Sequence, residues 1–146
     1  MGEPGTPHPF GAQDEISRVL MPSRLAERES AIQGILEKLA ASGCKPDAFL
    51  DRLAIDELLA NAVLHGNRGD PNKVVTIRAF CREDRWGVEV ADEGPGFDWE
   101  TFLRKLDEPK DPLRPSGRGL QLILASGAEL HFLNGGSRVV FVRKRC

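Results

Sequence analysis

Residues 53–66 read LAIDELLANAVLHG, and the reading of this stretch governs that of the whole chain. A helix turns about 100° per residue, so Glu57 and Asn61, at i and i+4, share a face. Leu50, Leu53, Ala54 and Leu64 project within about 60° of Glu57 on the same wheel. A carboxylate and an amide therefore sit in an apolar sector, while Asp51, Arg52 and Asp56 fall on the side expected to meet water. Burying such polar groups is costly unless they are paired or bound to something. The two are either a satisfied core pair or part of a binding site.

Two later stretches bear on that choice. Residues 86–91, WGVEVA, read as a strand that runs straight into Asp92-Glu93-Gly94-Pro95-Gly96-Phe97, a turn whose glycines permit positive φ and close backbone approach. Pro115-Ser116-Gly117-Arg118-Gly119-Leu120 is a second glycine hinge, leading into the apolar run Leu120–Ala125. A polar helix face followed by two glycine hinges suggests a nucleotide site.

The three stretches together carry a resemblance. ExxxN on a helix, DxGxGF after a strand and SGRGL opening a helix resemble the three nucleotide-binding boxes of the GHKL (Bergerat-fold) ATPase superfamily of gyrases, histidine kinases and heat-shock chaperones. The match runs from about residue 50 to the C-terminus. Within the superfamily, the short chain, the lack of a phosphoacceptor-histidine helix and an N-terminal strand plus helix look most like the anti-sigma-factor serine/threonine kinases. The resemblance implies ATP and Mg²⁺ as cofactors, and as partners a sigma factor and an anti-sigma antagonist protein that is phosphorylated. A homodimer formed through the first strand and the sheet edge is compatible with it.

The boxes carry roles over to named positions. Asp92 is assigned as the acceptor for the adenine amino group, with Gly94 and Gly96 clearing its approach and Phe97 completing the box. Asn61 offers a hard amide oxygen as metal ligand, and magnesium keeps several waters, so one protein ligand suffices. Glu57 is expected to be the catalytic base, its pKa raised by apolar neighbours. His65 resembles a residue found near the phosphates. Ser116, Gly117 and Gly119 can present N–H groups to phosphate oxygens at a helix start; Arg118 adds a charge-assisted contact, and Leu120 closes the box. Ser137 matches a position where the family usually has threonine near the adenine. The chain departs from the pattern at Gln33, where the family commonly has an arginine, and in the loop Asp98–Ser116, which lacks the threonine-rich character of some relatives. The rival reading is a nucleotide-gated partner-binding module without significant phosphotransfer.

Composition fits a soluble globular domain, with 40% hydrophobic and 29% charged residues. A net charge of −2 leaves no electrostatic footprint for nucleic acid, and the Arg143-Lys144-Arg145 run reads as a solvated terminus. No apolar run approaches the roughly 20 residues needed to span a bilayer, and no signal peptide is visible, so a cytoplasmic protein is expected. Cys44, Cys81 and Cys146 are odd in number and widely spaced, with no CxxC, which indicates neither a disulfide framework nor a zinc site. Reduced thiols are the natural reading. No GxxxxGK[ST] loop, GxGxxG fingerprint, HRD or DFG pair, or GxSxG elbow occurs.

Taken in order, residues 1–13, with three prolines and three glycines, read as a flexible leader, and 14–146 as a single ATP-binding domain. Ile16, Val19 and Leu20 predict a strand ending at Pro22. Ser23 is expected to cap a helix to about Ala41, with Leu25, Ile32, Ile35, Leu36 and Leu39 as its stripe and Gly43 as its stop. The Glu57 helix should end near Gly66. Val74–Cys81 and Arg85–Ala91 alternate as paired strands, and Asp98 caps a helix over Trp99–Leu106. Asp107–Pro115 is loop-like and reads as a lid. Gly119–Ser126 predicts a helix, and Ala128–Leu133 and Arg138–Arg143 a hairpin around Asn134-Gly135-Gly136. The order β-α-α-β-β-α-α-β-β implies an α/β two-layer sandwich: a mixed, mostly antiparallel sheet covered on one face by helices.

Overall fold

A computed structural model describes residues 7–106 and 118–145. The elements are β1 (Glu15–Pro22), α1 (Arg28–Ala41), α2 (Leu50–Asn61), β2 (Val74–Cys81), β3 (Arg85–Ala91), α3 (Trp99–Leu106), α4 (Arg118–Ala125), β4 (Glu129–Leu133) and β5 (Arg138–Lys144). The expected order is the observed one. Five strands form one sheet in the order β1-β2-β3-β5-β4, and all four pairings are antiparallel, so nothing among the described residues makes the sheet mixed. The lid expected at Asp107–Pro115 lies outside the described residues.

Strand alternation builds the inner face. On β2, Val75, Ile77 and Ala79 are fully buried, and Val88 and Val90 on β3 and Val139 and Phe141 on β5 continue that layer. Helix periodicity supplies the cover: Ile32, Ile35 and Leu39 from α1, Ala54, Ile55, Leu58 and Leu59 from α2, and Leu120 and Ile123 from α4. Gly43 ends α1 at φ +87, as a C-terminal glycine does.

Ser23 does not cap α1. A 3-10 turn, Leu25–Glu27, intervenes, and Ser23 is buried, its Oγ donating to the Lys73 carbonyl at 2.6 Å. The expected stripe residue Leu25 is 38% exposed, because it belongs to that turn and not to the helix.

The face assigned to α2 also needs correction. Asp51, expected in water, is 1% exposed. Its Oδ1 accepts from Arg143 Nη2 at 2.6 Å and from Nε at 3.2 Å, and its Oδ2 from the Asp47 N–H at 2.7 Å. The buried stripe runs through Asp51, Ala54, Ile55, Leu58 and Leu59, about 120° around from Glu57, whereas Leu64 is 49% exposed. A helical wheel ranks residue types and cannot show that β5 places an arginine against the first turn.

The outer face of the sheet is partly covered from the N-terminal side. Phe10 stacks on Phe80, ring centroids 5.0 Å apart, and joins Val140 and Val142 in a small second core. His8 Nε2 lies 2.7 Å from Glu89 Oε1, and Arg78 donates to both Glu89 oxygens at 2.8 and 3.0 Å. Gly87 makes room for this, since a Cβ there would meet the Phe10 ring and the Phe141 carbonyl. Within residues 1–13, read as a flexible leader, His8 and Phe10 are thus held against the sheet; residues 1–6 lie outside the described part.

Candidate functional site

α2 does not continue as an α-helix to Gly66. It gives way to a π-helical turn, Ala62–Gly66, closed by the Asn67 N–H to the Ala62 carbonyl at 2.8 Å. Such wide turns concentrate at functional sites. Here the turn sets Asn61, His65 and Gly66 along one wall of a cleft of about 290 Å³. The end of β3 and the start of β5 add Val90, Asp92, Ser137 and Val139 to the lining, and Phe97, Phe102 and Phe132 add an aromatic side. These rings meet edge to face, Phe97 lying 5.6 Å from Phe102 and 5.8 Å from Phe132.

Asp92 is the charged group built into this apolar hollow. Its N–H donates to the Ser137 carbonyl at 2.9 Å, extending the sheet by one step, and its Oδ1 accepts from the Gly94 N–H at 2.8 Å. Burial pushes its carboxyl above the ordinary aspartate range, against the opposing pull of the Gly94 N–H and Lys73. A desolvated carboxylate with capacity to spare at a cleft wall fits a ligand that brings its own donor.

The glycines do more than clear space for a ligand. A Cβ at Gly94 would strike the Gly66 carbonyl, and one at Gly66 the Asp92 carboxylate. Gly96, at φ +88, lies against the Gly135 carbonyl, and the Phe97 N–H donates to that carbonyl at 3.0 Å. Gly96 lines the cleft; Gly94 does not, because its place is filled by the contact with Gly66.

Of the other predicted site residues, Asn61, His65, Phe97 and Ser137 line the cleft. Glu57 is half-buried one turn before Asn61 and outside the lining. Ser137 is buried, and its Oγ donates to the Asn134 carbonyl at 3.1 Å. Leu120 is fully buried in the core, so it anchors α4 instead of lining the cleft. Ser116 and Gly117 lie outside the described residues; Arg118 and Gly119 begin α4. The Gln121 amide of α4 donates to the Leu106 carbonyl at 2.7 Å, which ties the start of α4 to the end of α3. Gln33 is exposed on α1 and donates to Glu37 at 3.0 Å.

Sequence reasoning missed Asn67, which looked like one polar residue in a turn. It is 1% exposed. Its Nδ2 donates to Ser23 Oγ at 2.9 Å and to the Val74 carbonyl at 3.0 Å, while its Oδ1 accepts from the Glu93 N–H at 2.7 Å. One side chain thus fixes the end of α2, the start of β2 and the residue next to Asp92. Gly66 was also missed, because a glycine at a helix end reads as a stop signal.

No group of three or more His, Cys, Asp or Glu able to hold a metal occurs among the described residues. Asn61 supplies a hard oxygen in the cleft wall, a donor set that fits an ion keeping most of its waters or taking ligands from a phosphate. No helix among the described residues is long and apolar enough to cross a membrane.

The chain is similar to "Serine-protein kinase RsbW" of Listeria monocytogenes, 30% identical over 96 residues, 61% of this chain and 61% of that protein. The protein of that name from Bacillus subtilis is 34% identical over 98 residues, 64% of this chain and 61% of its own length. The one from Staphylococcus aureus is 35% identical over 78 residues, 49% of each. The match therefore spans about three fifths of the first two relatives' length. The model of the histidine kinase-like ATPase domain matches residues 21–143, a span that includes every wall of the cleft, and the chain belongs to that family.

Proposed function

We propose that the chain binds Mg-ATP in this cleft and acts as an anti-sigma-type serine/threonine protein kinase, binding a sigma factor and phosphorylating an antagonist protein. The observation that carries the nucleotide reading is Asp92, desolvated on the wall of an apolar cleft that Asn61 and His65 also line. The partners rest on the family and on the relatives named as serine-protein kinases. A homodimer and a cytoplasmic location belong to the same reading.

Each residue then has a task. Asp92 accepts the adenine amino hydrogen, and Gly96, Phe97 and Ser137 shape the base's slot. Asn61 is the protein's magnesium ligand, and His65, which also lines the cleft, is the residue this reading assigns to the neighbourhood of the phosphates. Ser116, Gly117 and Gly119, through backbone N–H groups, and Arg118, through its charge, receive the phosphates. Mg-ATP supplies the phosphoryl group to be transferred. Glu57 takes the proton from the acceptor hydroxyl.

Paired measurements on two variants test this. Glu57→Gln keeps the shape of the site and removes the proton acceptor, so calorimetry should show nearly normal Mg-ATP affinity while phosphotransfer falls about 10²–10⁴-fold. Asn61→Ala loses a metal ligand and should fail at both. A Glu57→Gln variant that transfers phosphate at the normal rate would falsify the base assignment. Binding of Mg-ATP with no labelled serine or threonine on any partner would favour a nucleotide-gated binding module.

A further inference from the structure

The two thiols that sequence spacing left unrelated meet in the fold. Cys44 follows the end of α1, its N–H donating to the Leu39 carbonyl at 3.0 Å, and Cys81 ends β2. They are 37 positions apart in the chain, with Sγ atoms 3.0 Å from each other, and neither is in a disulfide.

Their surroundings differ. Cys44 is 4% exposed, and burial pushes its thiol up to about 12, so it remains S–H. Cys81 is half-buried and lines a surface hollow of about 570 Å³ with Asp14, Arg82, Glu83, Asp84 and Arg145. Arg145 donates from Nη1 to the Cys81 sulfur at 3.1 Å. That guanidinium is held in place by the Arg82 carbonyl at 2.9 Å and the Gly43 carbonyl at 3.2 Å. The Cys81 sulfur thus sits between a cationic N–H and a buried S–H. The hollow gives this sulfur a path to solvent, with a cationic group on one side and a second sulfur within reach on the other.

We propose that Cys81 is a peroxide-reactive thiol and Cys44 its resolving partner, so that a hydroperoxide converts the pair into an intramolecular disulfide. The Cys81 thiolate attacks one peroxide oxygen and the O–O bond breaks. The displaced hydroxide takes a proton from solvent, leaving a sulfenic acid on Cys81. Cys44 then attacks the Cys81 sulfur as the S–O bond breaks, and its proton leaves with the hydroxyl as water. The two thiols lose two electrons and the peroxide gains them. The new bond fastens the connection between α1 and α2 to the end of β2, and it closes a loop containing all of α2. Loop closure restricts the unfolded chain, so the oxidised form resists unfolding more than the reduced one.

The test treats the intact chain with hydrogen peroxide, counts thiols and maps linked peptides by mass. The expected result is that two of the three cysteines disappear together, that the Cys44 and Cys81 peptides are joined, and that the melting midpoint rises by several degrees and returns with dithiothreitol. Cys146→Ser should behave as the parent does. Cys81→Ser should leave Cys44 unmodified. Cys44→Ala should stop at a sulfenic acid on Cys81 that dimedone captures. That last variant opens buried space, so the peptide map of the unsubstituted chain serves as a readout that does not depend on it. Survival of both thiols through the treatment, a bridge to Cys146, or a bridge between two molecules would overturn the proposal.

Discussion

At the residue scale, Asp92 and Gly66 carry the sharpest consequences. Asp92→Asn replaces a pure acceptor with an amide that presents the wrong edge to an adenine amino group. ATP affinity should therefore fall strongly and GTP affinity less, as competition calorimetry can show; equal losses would remove Asp92 from the role of base reader. Burial raises the Asp92 carboxyl above its ordinary range, which fixes a sign. On acidification it becomes protonated earlier than an exposed aspartate, so ATP binding should weaken at a pH where an ordinary aspartate would still be charged. The same raised pKa means that holding the charged form costs stability at neutral pH, a cost relieved as pH falls through the folded pKa. Gly66→Ala should be worse for binding than its size suggests, because the added methyl lands on the Asp92 carboxylate. We expect at least a tenfold loss of nucleotide affinity, equivalent to about 1.4 kcal/mol, with the fold retained by circular dichroism.

At the scale of elements, α2 is fastened at both ends by polar groups. Its first turn is held by Asp51, which binds Arg143 of β5. Arg143 in turn reaches Ser126 Oγ, just past α4, at 3.0 Å. Its far end is held by Asn67. Removing one partner of a buried pair leaves the other uncompensated, so Asp51→Ala should cost about 3–5 kcal/mol in urea unfolding. Asp51→Asn, which keeps an acceptor for Arg143, should cost less. Equal effects would mean that an acceptor without the charge contributes nothing against Arg143. Because α2 carries Asn61 and leads into the π turn, loosening its first turn should also reduce nucleotide affinity.

Across the whole molecule, the sheet is buried on both faces near its centre, and Glu89 shows the consequence. Burial opposes its ionisation, but the hydrogen bonds from His8 and Arg78 and the nearby Arg78 and Arg138 charges outweigh burial and hold its carboxyl at about 2, below the ordinary 4.5. A depressed carboxylate stabilises the fold above its unfolded pKa and loses that contribution as pH falls toward the folded one. Stability should therefore decline between about pH 4.5 and 2 by on the order of 3 kcal/mol, through this group. Glu89→Gln should flatten that part of the curve in acid titrations followed by circular dichroism; an unchanged slope would show that other carboxylates govern it.

Local sequence was enough to determine the elements, their order and the family. Period-2 alternation, period-3.6 stripes and glycine punctuation are properties of neighbouring residues, and the strand pair Val74–Cys81 and Arg85–Ala91 was legible to the residue. Helix geometry alone also sets Glu57 and Asn61 one turn apart on α2, of which Asn61 lines the cleft and Glu57 does not. Tertiary structure decided whatever depends on residues far apart in the chain. Asp51 looked solvated because its partner Arg143 is 92 positions away. Gly66 looked like a helix stop because the Asp92 carboxylate it accommodates comes from another strand. Phe10 looked like part of a leader because the surface that receives it, Phe80, Val140 and Val142, exists only once β2 and β5 flank β3. Cys44 and Cys81 looked unrelated for the same reason. Local pattern reports what each residue prefers, and only the assembled sheet settles which distant group meets that preference.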